Sequence, residues 1–253
     1  MNENLNITEN WEFNVLNIDN YKSKGKFRTY YDFLKKNHNK LNGDILEAGV
    51  FQGKSLIATA ILLKELGSKK KIYGFDSFIG FNKRANKNDK FDNFLKLYNE
   101  KQITRKHLEK HQKLIYLKKL LQNKDYDTFN ISSSNSFENN SLSDLKKKID
   151  KLKLDNIVLV KGDFRKTMNN HKFKKLKLMA AMIDCDLYES YKYTLNFIWE
   201  RLTKGSLIYL DEYYSLKFPG ARIACNEFFI NKKQKPVMIE KKVNDFERWA
   251  VFK

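Results

Sequence analysis

Short apolar runs alternate with amphipathic stretches along most of the chain, which is the pattern of a sheet covered by helices. Apolar runs of about the length of a buried strand begin near residues 44, 71, 156, 179 and 206. Two more runs close the chain as a pair of strands. We predict one α/β domain built on a seven-stranded, doubly wound, Rossmann-like sheet with a terminal β-hairpin.

Two regions do not follow this alternation of strands and helices. Residues 1–25 are predicted to form an N-terminal arm, with Trp11 and Phe13 as its anchors. Residues 82–140 contain two basic amphipathic helices and a Ser/Asn-rich connection, and a further helix is expected to begin with Ser143 as its cap. We interpret residues 82–140 as a helical lid or substrate collar over the active site. The alternative is an arm that binds a partner or a second copy.

His107 and His111 are four residues apart on one face of a predicted helix, a spacing that can ligate a metal ion. Neither a Glu at the expected spacing nor a third ligand accompanies them. We therefore expect both to be surface histidines.

Acidic pairs follow two neighbouring apolar runs. Asp184 and Asp186 come directly after the run 179–183, and Asp211 and Glu212 follow the next run. Ligands of open α/β sheets bind at the carboxyl ends of the strands. Four carboxylates there supply hard oxygen ligands for a divalent cation, with one left to act as a base. The alternative is that Asp184 and Asp186 only cap the helix that follows.

The first strand leads through a turn with Gly49 and Gly53 into a helix. Such glycines let the backbone approach a ligand, and the helix start offers free N–H groups. The turn lacks the third glycine of the dinucleotide fingerprint and the Lys-Ser/Thr ending of a P-loop. Neither NAD nor a nucleoside triphosphate is therefore favoured.

Acids also follow the second and third strands. Asp76 stands where an acidic residue accepts hydrogen bonds from both ribose hydroxyls of a nucleoside, although a turn cap is the alternative. Asp163 is placed to bond an adenine amino group while Phe164 packs near the base. The alternative there is an ordinary turn followed by a helix.

The net charge of +19 over 253 residues suggests a polyanionic partner. The excess is nearly all Lys, spread over the whole chain, so we attribute it to compositional drift. The same positive electrostatic potential would also favour binding of a phosphate-bearing substrate such as a nucleotide sugar. No apolar run reaches the ~18 residues of a membrane span, and no signal peptide is recognised. Cys185 and Cys225 have no metal-type spacing, and we expect free thiols in the cytoplasm.

Five ordered motifs together resemble the macrocin O-methyltransferase (TylF-type) family. They are Leu46-Glu47-Ala48-Gly49-Val50, Gly74-Phe75-Asp76-Ser77-Phe78, Gly162-Asp163-Phe164-Arg165-Lys166-Thr167, Ile183-Asp184-Cys185-Asp186-Leu187-Tyr188-Glu189-Ser190 and Leu210-Asp211-Glu212-Tyr213. The resemblance covers roughly residues 27–81 and 141–252 and leaves the insertion outside. It implies a class I methyltransferase fold, S-adenosylmethionine and Mg²⁺ as cofactors, and methylation of sugar hydroxyls.

The resemblance also implies roles for individual residues. Those expected to hold the cofactor are Glu47, Ala48, Gly49, Gly53 and Ser55 at the methionine part, Asp76 and Ser77 at the ribose, Asp163 and Phe164 at the adenine, and Asp184. Metal ligation is implied for Asp184, Asp211 and Glu212, and the role of base for Asp186. The family usually has Gly in place of Cys185 and Asp in place of Glu212. Its Gly-Leu-Pro is Gly80-Phe81-Asn82 here, so acceptor specificity does not carry over.

The sequence thus predicts a metal-dependent O-methyltransferase acting on a sugar hydroxyl of a glycoside or nucleotide sugar. One alternative acceptor is a lipid, phenol or peptide bound against an aromatic wall, for which the candidates are Phe91, Phe94, Tyr98 and Tyr116. A basic nucleic-acid-binding protein is the alternative of another class. We expect a small-molecule acceptor, no specific nucleic acid, and assembly as a homo-oligomer.

Overall fold

Seven strands form one sheet in the computed structural model, which describes residues 7–81, 86–241 and 245–253. In chain order the strands are β1 (Asp44–Ala48), β2 (Ile72–Asp76), β3 (Ile157–Lys161), β4 (Leu178–Ile183), β5 (Leu202–Leu210), β6 (Val237–Glu240) and β7 (Arg248–Phe252). Their order across the sheet is β3-β2-β1-β4-β5-β7-β6. The predicted doubly wound sheet with a terminal hairpin is confirmed.

The strand order reverses between β1 and β4, which are parallel neighbours. Strands β1 to β5 are all parallel, whereas β7 is antiparallel to both β5 and β6. The register pairs Ala48 with Ile183, and Ile183 with Leu210. The carboxyl ends of β1, β4 and β5 therefore lie side by side at the switch point, where ligands of open α/β sheets bind.

Helices cover both faces of the sheet. In chain order they are α1 (Asn10–Val15), α2 (Arg28–Asn37), α3 (Lys54–Glu65), α4 (Asp92–Asn99), α5 (Arg105–Gln122), α6 (Leu142–Lys151), α7 (Phe164–Thr167), α8 (Tyr188–Trp199) and α9 (Pro219–Phe229). One apolar cluster packs α2 and α3 against the sheet, and a second packs α8 and α9 on the opposite face. Every residue of β4 is buried because both faces of this strand are covered.

One helix boundary differs from the sequence prediction. The cap of α6 is Ser141, whose hydroxyl accepts a hydrogen bond from the N–H of Asp144, so the predicted cap at Ser143 is wrong. Helix α9 begins at Pro219. A proline fits the first helical position because its missing N–H would have no partner there.

The N-terminal arm is ordered around one of its two predicted anchors. Phe13 is buried and packs edge-on against Tyr21, whereas Trp11 is exposed. Residues 1–6 of the predicted arm and residues 82–85 of the predicted insertion lie outside the described residues. Within the described part of the chain, none of the helices combines the length and hydropathy that crossing a bilayer requires.

Candidate active site

Three carboxylates meet at the carboxyl ends of β4 and β5. Asp184, Asp186 and Glu212 each offer one oxygen, and these atoms all lie within 4.8 Å of one another. The Tyr191 hydroxyl fixes one of them by donating a 2.6 Å hydrogen bond to Glu212 Oε2. Asp186 has a φ of 59°, a left-handed conformation that Asp adopts more readily than most residues. The structure therefore brings together three of the four acids expected here.

The fourth acid, Asp211, is paired with a lysine that the sequence analysis did not single out. Lys26 Nζ lies 2.5 Å from Asp211 Oδ2, while Asp211 Oδ1 is buried without a hydrogen-bond partner. Burial alone would lower the pKa of Lys26, but the charges of Asp211 and Asp184 raise it above the usual lysine value. The ammonium group is therefore a cation that partly balances this acidic centre.

Mutual repulsion and burial disfavour ionisation within the cluster. Burial, reinforced by the charge of Asp211, raises the pKa of Asp184 to about 6. Burial and the charge of Asp184 raise the pKa values of Asp186 and Glu212 well above the ordinary carboxyl range. Carboxyl groups held so close together ionise fully only when cations compensate them.

The helix-cap alternative for Asp184 and Asp186 finds no support in the geometry. Leu187 is the N-cap residue of α8 and supplies no side-chain bond. The first N–H of the helix, that of Tyr188, instead donates to Asp89 Oδ1 at 2.9 Å. Asp89 belongs to the insertion, and burial raises its pKa to about 6.

The glycine turn is fastened by two carboxylates. Asp76 Oδ2 accepts hydrogen bonds from the N–H groups of Val50 and Phe51 at 2.8 and 2.9 Å, and its Oδ1 accepts one from the N–H of Phe78 at 2.7 Å. Glu47 is fully buried, and its Oε1 accepts a 2.7 Å hydrogen bond from the Ser55 hydroxyl. Asp76 therefore caps the turn, which was the alternative to a ribose contact, while it also lines the cavity described below.

The two glycines of the turn are required by contacts within the protein. A Cβ atom at Gly49 would stand 1.7 Å from the carbonyl oxygen of Asp184, and one at Gly53 would stand 2.5 Å from Leu145 Cδ1. Both glycines also have positive φ angles, 90° and 74°. Gly49 thus lets the turn pack directly on the end of β4, which holds the acidic cluster beside the turn.

Beyond β3, Asp163 caps α7 by accepting a 2.9 Å hydrogen bond from the N–H of Arg165. Its carboxylate also pairs with the Arg165 guanidinium at 2.6 Å, and this contact lowers the pKa of Asp163. The turn followed by a helix is therefore present. Both Asp163 and Phe164 also line the cavity, so the predicted adenine contact remains open to them.

A cavity of about 1330 Å³ connects these features. Of the residues expected to hold the cofactor, those at its wall are Gly49, Ser55, Asp76, Ser77, Asp163, Phe164 and Asp184. Glu47 and Ala48 are fully buried behind the turn. The candidate base Asp186 lines the cavity, whereas Glu212 lies buried beneath it.

The insertion forms part of this wall. Residues of both its ends line the cavity: Asn86, Asp89, Phe137, Glu138 and Asn140. Asn86 Nδ2 donates a 3.0 Å hydrogen bond to Glu189 in the first turn of α8. The insertion is thus attached to the helix that directly follows Asp184 and Asp186.

Residues 118–252, just over half of the chain, match the family model described as macrocin-O-methyltransferase (TylF). The chain belongs to the TylF family. It is an S-adenosylmethionine-dependent O-methyltransferase, and the predicted resemblance is confirmed. The matched residues include the acidic pairs and the Gly162-Asp163 motif, whereas the glycine turn and Asp76 lie before them. The match begins inside α5, so the expectation that the whole insertion falls outside the resemblance is wrong.

Solved structures show the fold of the TylF-family chain. The calicheamicin methyltransferase CalS11 has a TM-score of 0.61 at 20% identity, over 96% of this chain and 80% of its own. The O-methyltransferase NovP has a TM-score of 0.59 at 16% identity, over 87% of this chain and 78% of its own. An O-methyltransferase from Bacillus cereus in complex with SAH has a TM-score of 0.51 at 11% identity, over 99% of this chain and 94% of its own. No curated protein matches the sequence.

Sequence reasoning was wrong about the two histidines of this TylF-family chain. His107 and His111 are buried, and each bonds a backbone carbonyl: His107 Nε2 lies 2.8 Å from Ser215 O, and His111 Nδ1 lies 2.8 Å from Leu216 O. A carbonyl oxygen only accepts, so both rings donate. Burial lowers the pKa of His107 to about 4 and also lowers that of His111. The pair attaches α5 to the loop after the acidic pair.

Proposed function

We propose that the protein transfers a methyl group from S-adenosylmethionine to a sugar hydroxyl, with a divalent cation held by Asp184, Asp211 and Glu212 and with Asp186 as the general base. The observation that carries this proposal is the convergence of Asp184, Asp186 and Glu212 within 4.8 Å beside the cavity. Asp211 follows β5 directly, next to Glu212.

The donor set suits Mg²⁺. All of its members are carboxylates, and hard oxygen ligands select Mg²⁺ or Mn²⁺ over softer metals. One of the oxygens, Asp211 Oδ1, is buried without a partner, a costly arrangement that a cation would relieve. Glu212 keeps an oxygen ligand where the family usually has Asp. When bound, a divalent cation lowers the pKa of hydroxyl groups that it contacts.

The cofactor is proposed to lie along the glycine turn. There the start of α3 presents N–H groups, and Asp76 accepts hydrogen bonds from two N–H groups of the turn, those of Val50 and Phe51. Glu47 Oε2 is buried without a partner behind this turn, so a polar group of the cofactor is the partner we propose for it. S-adenosylmethionine supplies a methyl group on a sulfonium, which an oxygen nucleophile displaces in line.

Asp186 is proposed to take the proton of the acceptor hydroxyl. It lines the cavity at the end of β4, and the left-handed backbone sets its direction. Burial and Asp184 raise its pKa, while the charges of Lys26 and Lys217 act in the opposite sense. A carboxylate with a raised pKa is a stronger base, provided that nearby cations keep it ionised.

Two observations support a sugar acceptor. The family is described by its macrocin-O-methyltransferase activity, and the apo structure of CalS11, described as a TDP-rhamnose 3′-O-methyltransferase, has a TM-score of 0.52 at 21% identity, over 91% of this chain and 80% of that one. The cavity wall also carries Lys54, Lys161 and Arg165, whose charges suit a phosphate-bearing sugar.

An apolar acceptor remains a second candidate, on different residues from those predicted. Phe94 is buried within the insertion and stacks on His111, and Tyr116 is exposed, so neither forms a wall of the cavity. Phe51, Phe81 and Phe137 do line it, with ring centroids 5.2 Å apart for Phe51 and Phe137 and 5.0 Å for Phe81 and Phe137. A phenol or the first carbons of a lipid fit such a wall.

The remaining predictions are carried forward as proposals. We treat the chain as one domain, with the insertion as a collar, because both ends of the insertion line the cavity and its Asp89 caps α8. Homo-oligomeric assembly and a cytoplasmic location stay predictions from the sequence.

The test is transfer of a labelled methyl group from S-adenosylmethionine to a panel of nucleotide sugars, glycosides, phenols, and lipid- or peptide-linked hydroxyls. Transfer to sugars that stops with chelator and returns with Mg²⁺ is the expected result. Transfer that ignores the chelator would remove the metal from the proposal. Transfer to phenols or lipids alone would replace the sugar by the second candidate.

A further inference from the structure

Lys26 reaches the acidic cluster from a distant part of the sequence. It precedes α2 and is 185 residues away from Asp211, to which its Nζ atom is bonded at 2.5 Å. The Asp211 side chain is 9% exposed, whereas that of Lys26 is 46% exposed and lines the cavity. The ammonium group thus enters the cluster from the open side of the site.

The backbone of Lys26 is fixed independently of its side chain. The Tyr209 hydroxyl of β5 donates a 3.1 Å hydrogen bond to the Lys26 carbonyl oxygen, and the adjacent Phe27 packs edge-on against Tyr209 at 5.5 Å. The Lys26 side chain is 46% exposed and lines the cavity, with its Nζ atom 4.7 Å from the centroid of the Phe27 ring. The ammonium group can therefore leave Asp211 by rotation of the side chain alone.

Lysine and a divalent cation would compete for the same carboxylate. Asp211 Oδ2 is occupied by the ammonium group, and the cluster of close carboxylate oxygens is made by Asp184, Asp186 and Glu212 without Asp211. Asp211 Oδ1 has no hydrogen-bond partner and is open to a metal, but a metal there would share one carboxylate with the ammonium group on Oδ2. Two cations so close to one another would also repel.

We propose that Lys26 is a built-in counter-ion of the acidic cluster, which opposes the binding of a divalent cation until its ammonium group leaves Asp211. This inference rests on the metal site of the proposed function. The metal-binding form of the site is then only a fraction of the population, and the apparent metal affinity is reduced by that fraction. Removing the lysine charge should therefore tighten metal binding, the opposite of what loss of a ligand does.

The test is calorimetric titration of Mn²⁺ into the full-length protein carrying Lys26→Met, Lys26→Gln, Lys26→Arg or Lys54→Met. Lys54 lines the same cavity and controls for the general loss of one positive charge. We expect Lys26→Met and Lys26→Gln to bind Mn²⁺ about 10-fold more tightly than wild type, and Lys54→Met to change the affinity by less than about 2-fold. Lys26→Arg keeps the charge and should stay near wild type.

Unchanged or weaker Mn²⁺ binding by Lys26→Met and Lys26→Gln would overturn the inference and leave the metal site standing. Equal tightening by Lys54→Met would also overturn it, because a general field would then explain the effect. Absence of Mn²⁺ binding in every variant and in wild type would refute the metal site itself. Binding of S-adenosylhomocysteine, measured in parallel, shows that each variant is folded.

Discussion

The strand ends and the insertion are built by different kinds of contact. At the strand ends, apart from the pair Lys26–Asp211, the residues that hydrogen-bond one another are close in sequence: Glu47 and Ser55 are 8 residues apart, and Val50 and Asp76 are 26 apart. The insertion is held by hydrogen bonds across about a hundred residues, 99 for Asp89 with Tyr188 and 108 for His107 with Ser215, and by an apolar cluster that includes Leu187 and Phe218. Strand register places the first group, whereas contacts between distant parts of the sequence place the second.

This difference predicts different consequences of substitution. Side chains that project from strand ends into the cavity should change chemistry or binding with little change in stability. The buried polar groups of the insertion should instead change stability, and change activity only through the position of the wall that they hold. The predictions below test this division from the largest expected effect to the smallest.

Asp186→Asn should have the largest effect. Loss of the base should reduce the rate of methyl transfer by ~10²-fold or more, while binding of S-adenosylhomocysteine stays near wild type. Single-turnover transfer of labelled methyl groups measures the rate. The control is Asp125→Asn, which removes one negative charge from an exposed residue of the insertion. Full turnover by Asp186→Asn would remove the residue from the proposed mechanism.

Asp76→Ala should act on cofactor binding. Three backbone N–H groups lose their acceptor. We expect the binding free energy of S-adenosylhomocysteine to fall by about the worth of one hydrogen bond to a charged group, about 1.5–3 kcal/mol, which is a ~10- to ~100-fold loss of affinity. Calorimetry measures the affinity. Asp76→Asn keeps one acceptor oxygen, and its affinity for S-adenosylhomocysteine should lie between those of wild type and Asp76→Ala. An unchanged affinity would show that the turn keeps its shape without this carboxylate.

His107→Leu tests the insertion. The Ser215 carbonyl loses a buried donor, and we expect a loss of about 1–3 kcal/mol in the free energy of unfolding. His171, on the surface, is the control, and His171→Leu should change this free energy by less than about 0.5 kcal/mol. Urea unfolding measures both. Equal effects of the two substitutions would contradict the difference drawn between strand ends and insertion.

The same histidine predicts a pH dependence. Its folded pKa of about 4 lies below the ordinary value of 6.5, so the unfolded chain binds more protons between these values. The contribution of His107 to stability is therefore complete above about pH 6.5 and is lost progressively as the pH falls towards 4. Wild type should lose more stability than His107→Leu over this window in urea titrations. If wild type and His107→Leu lost the same stability as the pH falls, His107 could not be neutral and buried in the folded protein.

Asp89→Ala should have the smallest effect. Helix α8 loses the cap on its first N–H, which is worth about 1 kcal/mol. Asp89→Asn keeps an acceptor oxygen and should cost less. Thermal unfolding of both variants measures the effect, and equal destabilisation would mean that the charge of Asp89, and not its hydrogen bond, stabilises the helix.

Sequence alone sufficed for the sheet and for most of the acidic cluster. Acids directly follow β4 and β5, and parallel strands bring those ends to one edge, so Asp184, Asp186 and Glu212 could be placed together without coordinates. The sequence analysis favoured surface positions over a metal site for His107 and His111, and each ring bonds a backbone carbonyl in the structure. The surface position expected for them was wrong because their partners are backbone carbonyls on a loop, which no side-chain pattern reveals.

Lys26 and Asp89 could not have been found in the same way. Lys26 is one of many lysines in a chain of charge +19, and Asp89 belongs to a segment without strand rhythm. Their partners, Asp211 and the N–H of Tyr188, lie 185 and 99 residues away. The sequence also does not show why glycine is required at position 49. The atom that excludes a side chain there is the carbonyl oxygen of Asp184.

The most direct test of the account is Mn²⁺ binding measured by calorimetry on wild type, Asp184→Asn and the exposed control Asp125→Asn, all with S-adenosylhomocysteine bound. The account predicts one site in wild type and in the control, and at least ~10-fold weaker binding when Asp184 loses its charge. Equal Mn²⁺ affinity in all three proteins would contradict the claim that the strand-end carboxylates form a metal site.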